Sequence, residues 1–282
     1  MRAGLLSVLV ALSSCAAPPL GPLVEEVMDV PIAAAGAARA DLDLRFFGGT
    51  ITAQPDPAVA VATVVSRDNR PDIQAHCSHR TDAGTVAASF WLEAEERISS
   101  RDEETIDWRL ALGRKLPTSL RAQLAACDAD LDLGGARLEN VDLEASATQT
   151  KLRFSQPNAG TMESLRFRVA SADGRLEQLG NAHVRSVRVE VDVGQLVIDA
   201  SGAWEGTTFL RVDANVAGVE IRVPRSLAVK VVVTQEEVGD VTLPDFHRGG
   251  DGAYWSDSPD GAPPQLVIEV AVAVGNVQIT RI

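Results

Sequence analysis

The chain is constrained above all by an apolar alternation whose phase breaks and then resumes. Val187, Val189, Val191 and Val193 alternate with polar residues, Gly194-Gln195 intervenes, and Leu196 and Ile198 carry the pattern on. The phrase returns as Leu210, Val212, Ala214, Val216, then Val219, Ile221 and Val223, and closes the chain from Leu266 to Val274 and from Val277 to Ile279. A period of two means strands with one face buried and one in water. Helical periodicity is weak, apart from a short turn read at Ser119 to Ala126, so the fold class is all-β.

The repeat follows a rule. An alternating run ends at an inward anchor, two turn-prone residues follow, and the next inward residue sits three positions on. Leu133 to Ala136, Val193 to Leu196, Val216 to Val219, Val238 to Val241 and Val274 to Val277 obey it. Gln149 to Leu152 and Asp173 to Leu176 fit with polar anchors. From Asp173 to Val238 the anchors recur at roughly 20 residues, the length that one coil of a β-solenoid consumes. The longer step to Val274 is filled by a polar insert around Tyr254 to Pro264. The Gly-containing breaks would also suit type II′ hairpin turns, which would give an antiparallel hairpin meander. The regular period favours coils.

The first residues read as an address rather than as fold. Arg2 is followed by a short apolar stretch from Leu5 to Leu12, and Leu12-Ser13-Ser14-Cys15 resembles a bacterial lipobox, in which the Cys is lipidated and becomes the mature N-terminus. Residues 1–14 are thus expected to be a lipoprotein signal peptide, 15–28 a flexible tether carrying Pro18, Pro19 and Pro22, and 29–282 the folded domain. Within that domain, 29–127 is less regular and 128–282 repeats. Ala16 after the Cys favours the outer membrane, facing the periplasm or the cell surface, by the lipoprotein sorting rule. The expected partners are the membrane, through lipid on Cys15, and an envelope protein or glycan. A formal net charge of -13 argues against nucleic acid. In an oxidising compartment the remaining cysteines, Cys77 and Cys127, form a candidate disulfide.

Charged residues recur at matched positions. Counting back five from the anchors gives Arg168, Arg188 and Arg211; counting back three gives Asp130, Glu190 and Asp213; counting back one gives Asp132, Asp192 and Asn215. Coils stacked in register would carry an arginine column beside an acidic one. Such a face is either a binding surface, with Arg168, Arg188, Arg211, Glu190, Asp192 and Asp213 as its residues, or cross-strand charge pairing. Carboxylates on a β-helix face could also cleave glycans, but an aromatic content of 4% supplies few rings to wall a sugar groove. Tyr254 and Trp255, adjacent in the insert, would stack on a ligand or cap the end of the stack. His76-Cys77-Ser78-His79 carries metal-ligand residue types without a complete ligand set, so no metal is assigned. No nucleophile motif is present, and neither Gly48-Gly49 nor Gly134-Gly135 opens a helix. The chain is read as non-enzymatic, without a cofactor.

Asp130-Leu131-Asp132-Leu133-Gly134-Gly135 with Leu138 to Leu143, and the phrase Val187 to Gly194, resemble the bacterial toast-rack cell-envelope proteins. These are relatives of the putative adhesin and LiaF-like C-terminal domains. Tyr254-Trp255 through Ala262-Pro263-Pro264, followed by the final Gly275 strand, fits the same resemblance. It implies a right-handed β-helix-like fold and an adhesin-like, structural or envelope-stress role, and it brings no catalytic residues.

Overall fold

The computed structural model describes residues 20–31, 37–94, 104–257 and 265–282. The expected leader with Cys15, the charged segment from Arg97 to Glu103 and much of the insert after Trp255 lie outside these residues. The described chain forms nineteen strands in one continuous, mostly parallel network wrapped into two walls.

The first wall runs in the order β5 (Ile73–Asp82), β6 (Thr85–Ala94), β2 (Arg39–Phe47), β8 (Thr118–Ala125), β10 (Leu138–Ser146) and β12 (Met162–Ala170). It continues through the N-terminal halves of β14 (Val184–Asp199), β15 (Thr208–Val223), β19 (Leu266–Arg281) and β16 (Val229–Thr242). The second wall follows the same order: β1 (Val24–Val30), β4 (Ala62–Asp68), β7 (Ile106–Leu112), β3 (Thr50–Pro55), β9 (Asp128–Asp132), β11 (Gln149–Arg153) and β13 (Ala172–Glu177). It ends on the C-terminal halves of β14, β15, β19 and β16. Each coil thus contributes one strand to each wall. Parallel pairing between coils settles the choice left open by the turn chemistry: the breaks are solenoid corners, and the fold is a parallel β-helix-like solenoid.

The corner explains the repeat and corrects its frame. Gly194 lies opposite Ala172, so Val193 stands level with Ser171, and Ser171 with Ala147, Ala126 and Gly48. Ala126, Ala147 and Ser171 take left-handed backbone conformations at φ 50, 52 and 53. The anchors Val193, Val216, Val238 and Val274 are not inward; they are 48%, 53%, 80% and 44% exposed. A residue at the bend projects outside the angle between the walls, so the last inward side chains before it are Val191, Ala214 and Val272. Gln149 and Asp173 lie two residues past the corner, on the second wall. Leu133 to Ala136 is a different bend, where each coil leaves that wall.

That far side is closed by turns. Asn158 and Asn181, both buried, bridge successive ones: the Asn158 amide donates to Leu138 O at 3.0 Å and accepts from Leu138 N–H at 2.8 Å, and the Asn181 amide donates to Phe154 O at 2.8 Å. Buried turn carbonyls thereby gain the partners that burial demands. In the Asp132-Leu133-Gly134 turn, the Asp132 carboxylate accepts from Gly134 N–H at 3.0 Å and Ser155 N–H at 3.1 Å. Burial pushes this carboxyl up, but the Ser155 side chain, those two N–H bonds and Arg153 together outweigh it and hold it below the usual carboxylate value.

The coil order departs from chain order at both ends. The β2–β3 coil lies between β6–β7 and β8–β9, and the C-terminal strand β19 inserts between β15 and β16. Antiparallel pieces finish each end: β5 on β6 and β1 on β4 at one, β18 (Tyr254–Ser256) with β17 (Phe246–Arg248) against β16 at the other. Two further expectations are corrected. The tether ends earlier than residue 28, because Val24 to Met28 belong to β1; as an edge strand it buries only Met28 and Val30, which hides its alternation. Ser119 to Ala126 is not a helical turn but essentially β8, where good helix formers are overruled by ladders to β2 and β10 on either side.

Two outcomes follow. Gly194→Ala should cost more than about 2 kcal/mol in urea denaturation, since the backbone sits at φ 138 and the new Cβ would meet Ala172 O at 1.9 Å. Ala147→Gly should instead be neutral to stabilising by about 0.5 kcal/mol, because it relieves left-handed strain in a non-glycine residue. For Asp132, the folded-state value is depressed, so its contribution is present above the unfolded value near pH 4 and fades as pH falls through the folded one. Asp132→Asn should therefore destabilise at pH 7 and flatten the acid limb of a stability–pH curve; an unchanged acid limb would count against this role.

Candidate binding faces

The outer surface of the first wall carries the charged columns, in a different register from the one expected. Arg188 stands opposite Arg166 and Arg211, whereas Arg168 stands opposite Glu144 and Glu190. The first column thus runs Asp142, Arg166, Arg188, Arg211, Glu269, and the second Glu144, Arg168, Glu190, Asp213. Asp130 and Asp132 do not join them; they belong to β9 in the second wall. The shift of two residues at Arg168 comes from counting back from Asp173 rather than from the corner at Ser171.

Each arginine here is committed to carboxylates. Arg188 reaches Glu190 at 2.6 Å and Asp213 at 3.2 Å; Arg211 reaches Asp213 at 3.0 Å and Glu269 at 3.7 Å. Arg168 reaches Asp192 at 2.9 Å, Glu144 at 3.7 Å and Glu190 at 3.9 Å, while Arg166 reaches Glu190 at 3.2 Å. Asn215 donates to Asp192 at 2.9 Å. Arginines stacked on arginines would repel, and the neighbouring carboxylates neutralise them. The hydrogen bond from Arg168 to Asp192 and that from Arg211 to Asp213 raise both guanidinium values further. A wall so arranged sets register and stays soluble.

The second wall differs. A groove of about 620 Å³ crosses five coils and is lined by Thr52, Asp128, Gln149, Asp173, Arg175 and Gln195, among others. Thr50, Asp128, Gln149, Asp173 and Gln195 stand in one register column. Gln195 lies across Gly218 of the next coil, where a Cβ would meet its Oε1 at 2.2 Å. Sequence reasoning missed this column because Gln149 and Asp173 were read as anchors and Gln195 as half of a turn, while Thr50 and Asp128 stand in no part of the repeat rule. A signal for the asparagine bridges was present: Asn158-Ala159 and Asn181-Ala182 recur one coil apart.

The remaining site residues are dispersed. Cys77 and Cys127 are free, correcting the expected disulfide. Cys77 lies on β5, separated from β8 and the adjoining Cys127 by β6 and β2. Three strand spacings of about 4.8 Å exceed the roughly 7 Å that a disulfide spans between Cα atoms. Burial raises both thiols, Cys127 to about 12. His76 and His79, three apart on an extended strand, project to opposite faces, and His76 stacks on Trp91 at 5.2 Å. Tyr254 and Trp255 cap the end of the stack. Lys230 lies 4.7 Å over the Trp255 ring, and Asp251 accepts from Lys230 at 2.9 Å and from Trp255 at 3.2 Å. Those bonds, Lys230 first, lower the Asp251 carboxyl to about 2. At the opposite end, Arg70 is buried with Asp72 and Glu104, reaching Glu104 at 2.7 Å. Among the described residues no helix is long and apolar enough to cross a membrane.

Two walls of in-register parallel strands, tight corners with left-handed backbone and antiparallel ends define a short β-solenoid. The family model described as the N-terminal domain of toast_rack, DUF2154, matches residues 24–164, and the chain belongs to that family. The matched stretch begins at the first strand, β1. Among solved structures, a "putative cell adhesion protein" from Clostridium sporogenes ATCC 15579 aligns at 14% identity and TM-score 0.45 over 92% of this chain and 100% of that one. A "putative adhesin" from Bacteroides fragilis NCTC 9343 aligns at 10% identity and TM-score 0.40 over 92% and 97%. Among curated proteins none matches this chain.

The contrast between exposed and buried ion pairs is testable. Arg188→Ala should cost less than about 1 kcal/mol and lose its effect in high salt. Arg70→Ala should cost about 3–5 kcal/mol with little salt dependence, because it strands buried carboxylates. Chemical denaturation at two ionic strengths reads both.

Proposed function

We propose that this protein is a lipid-anchored, non-enzymatic module of the bacterial cell envelope whose walls serve an adhesin-like or structural role. The observation that carries the reading is the mutual engagement of the charged side chains on the first wall. On the first wall Glu190, Asp192 and Asp213 are each held by arginine at 2.6–3.2 Å, so the carboxylates that a glycosidase would need free on either side of its substrate are already engaged within the wall. The second wall offers polar side chains along a shallow open groove, a geometry for reversible contact with an extended partner. The lipobox-like Leu12-Ser13-Ser14-Cys15 supplies the anchor in this reading and the outer membrane its destination.

Labelled palmitate should enter the wild-type chain and be lost in Cys15→Ala, which should leave the membrane fraction; label retained in the variant would sink the anchor. Incubated with envelope polysaccharide, the full chain should co-sediment with it or with an envelope protein and release no reducing ends. A steady appearance of reducing ends would replace this reading with an enzymatic one.

A further inference from the structure

The edges of the solenoid are not equally protected. A strand edge is a row of unmet N–H and C=O groups, and soluble proteins blunt such edges with charge, Pro, bulges or short strands. β1, at the edge of the second wall, carries Glu25, Glu26 and Asp29. The opposite end of the first wall finishes in β17 and β18, each three residues long. β5 has little of this protection, its only ionised side chains being Arg80 and Asp82 beside the turn. It is ten residues long, has no Pro, Lys or Glu, and pairs with β6 without a register shift from Ile73–Ala94 to Asp82–Thr85. Ser78 to Asp82 are exposed.

Which backbone groups point outward can be worked out from the hairpin. Ala83 and Gly84 have φ 46 and 79, the two positive values of a type I′ turn, so Asp82 and Thr85 form the hydrogen-bonded closing pair. Hydrogen-bonded pairs alternate along an antiparallel ladder, so Gln74, His76, Ser78 and Arg80 also bond to β6. Ala75, Cys77, His79 and Thr81 then turn their N–H and C=O groups away from the sheet. Ile73 agrees with this parity, because its N–H bonds outside the ladder, to Arg70 O at 3.2 Å. Among the described residues no further backbone bond beyond the strand ladder reaches β5.

We propose that β5 pairs antiparallel with β5 of a second copy of this chain, across a twofold axis perpendicular to the first wall and centred on Ser78. That register uses every free group. Ala75 faces Thr81 of the second copy and Cys77 faces His79, each pair exchanging both hydrogen bonds, and Ser78 faces Ser78. Between them, Gln74 faces Asp82 and His76 faces Arg80, so no two carboxylates meet. A chain of net charge -13 repels its own copy over most of its surface, and β5 offers a long edge whose ionised side chains are one Arg and one Asp. Twofold symmetry makes such an edge self-complementary, and strand addition is an established mode of association.

The test uses the full chain in mild detergent. Ser78 faces Ser78 in a non-hydrogen-bonded pair, where the Cα atoms lie about 4.5 Å apart, inside the range that a disulfide spans. In a Cys77→Ser background, Ser78→Cys treated with oxidised glutathione, which takes up the two electrons, should migrate at twice the chain mass on a non-reducing gel. Gln74→Cys in the same background should not. Ser78→Lys sets two ammonium groups across the axis and should raise the dimer dissociation constant at least about tenfold in sedimentation equilibrium, with its circular dichroism unchanged. The proposal is overturned by a wild-type chain that sediments as a monomer, by equal cross-linking at both positions, by a dimer indifferent to Ser78→Lys, or by a cross-link to a different protein instead of a second copy.

Discussion

Coil-to-coil register is the constraint on which the rest of this molecule depends. Parallel ladders fix each residue opposite one in the coil above and one in the coil below, so a single choice at the corner propagates through both walls. It decides that Val189 stacks on Val212 and Val270 inside, and that Arg188 stacks on Arg211 outside. A coil with one residue more or fewer at the bend would turn its apolar set outward. The left-handed backbone at Ala126, Ala147 and Ser171, and the glycines at positions 194 and 275, hold that choice in place. The core can therefore be thin, built of Val, Leu and Ala with few rings, because alignment along the stack replaces depth of packing.

Much of this architecture was legible in the chain, and the failures share a cause. Alternation gave the strands, and the period gave the coils against the hairpin alternative. Alternation cannot say where a bend falls, since a residue at the bend keeps the pattern while leaving the core. Val193 and Val274 look like further inward valines and are not. The error moved Arg168 two residues from its true neighbours and drew Asp130 into the wrong wall. Edge strands were hidden for a related reason: β1 and β5 bury one face only in part, so their alternation fades. The disulfide failed because spacing along the chain carries no information about the two strands that separate β5 from β8.

The two outer surfaces divide their labour. On the first wall the charges satisfy one another, which suits a surface that must stay in register and in solution. On the second, Asp128, Gln149, Asp173 and Gln195 stand in line without such mutual closure, and it is there that the proposed contact with a partner falls. The same distinction separates β1, defended by its acids, from β5, whose backbone is still open to pairing. Both proposed contacts therefore rest on the same criterion, which polar groups the fold leaves uncommitted.

The displaced position of β19 has a consequence for how the molecule comes into being. Each interior coil of an ordinary solenoid can add to the one before it as the chain emerges, because neighbours in space are neighbours in sequence. Here β15 and β16 are kept apart by β19, which follows both in the chain, so these coils cannot close until β19 has been made. A chain crossing a membrane from its N-terminus would keep those coils unsettled until β19 had passed, and would complete its core there by inserting that strand between two that are waiting for it. Strand β19 acts as a keystone, and the coils around it become all-or-none in time as well as in space.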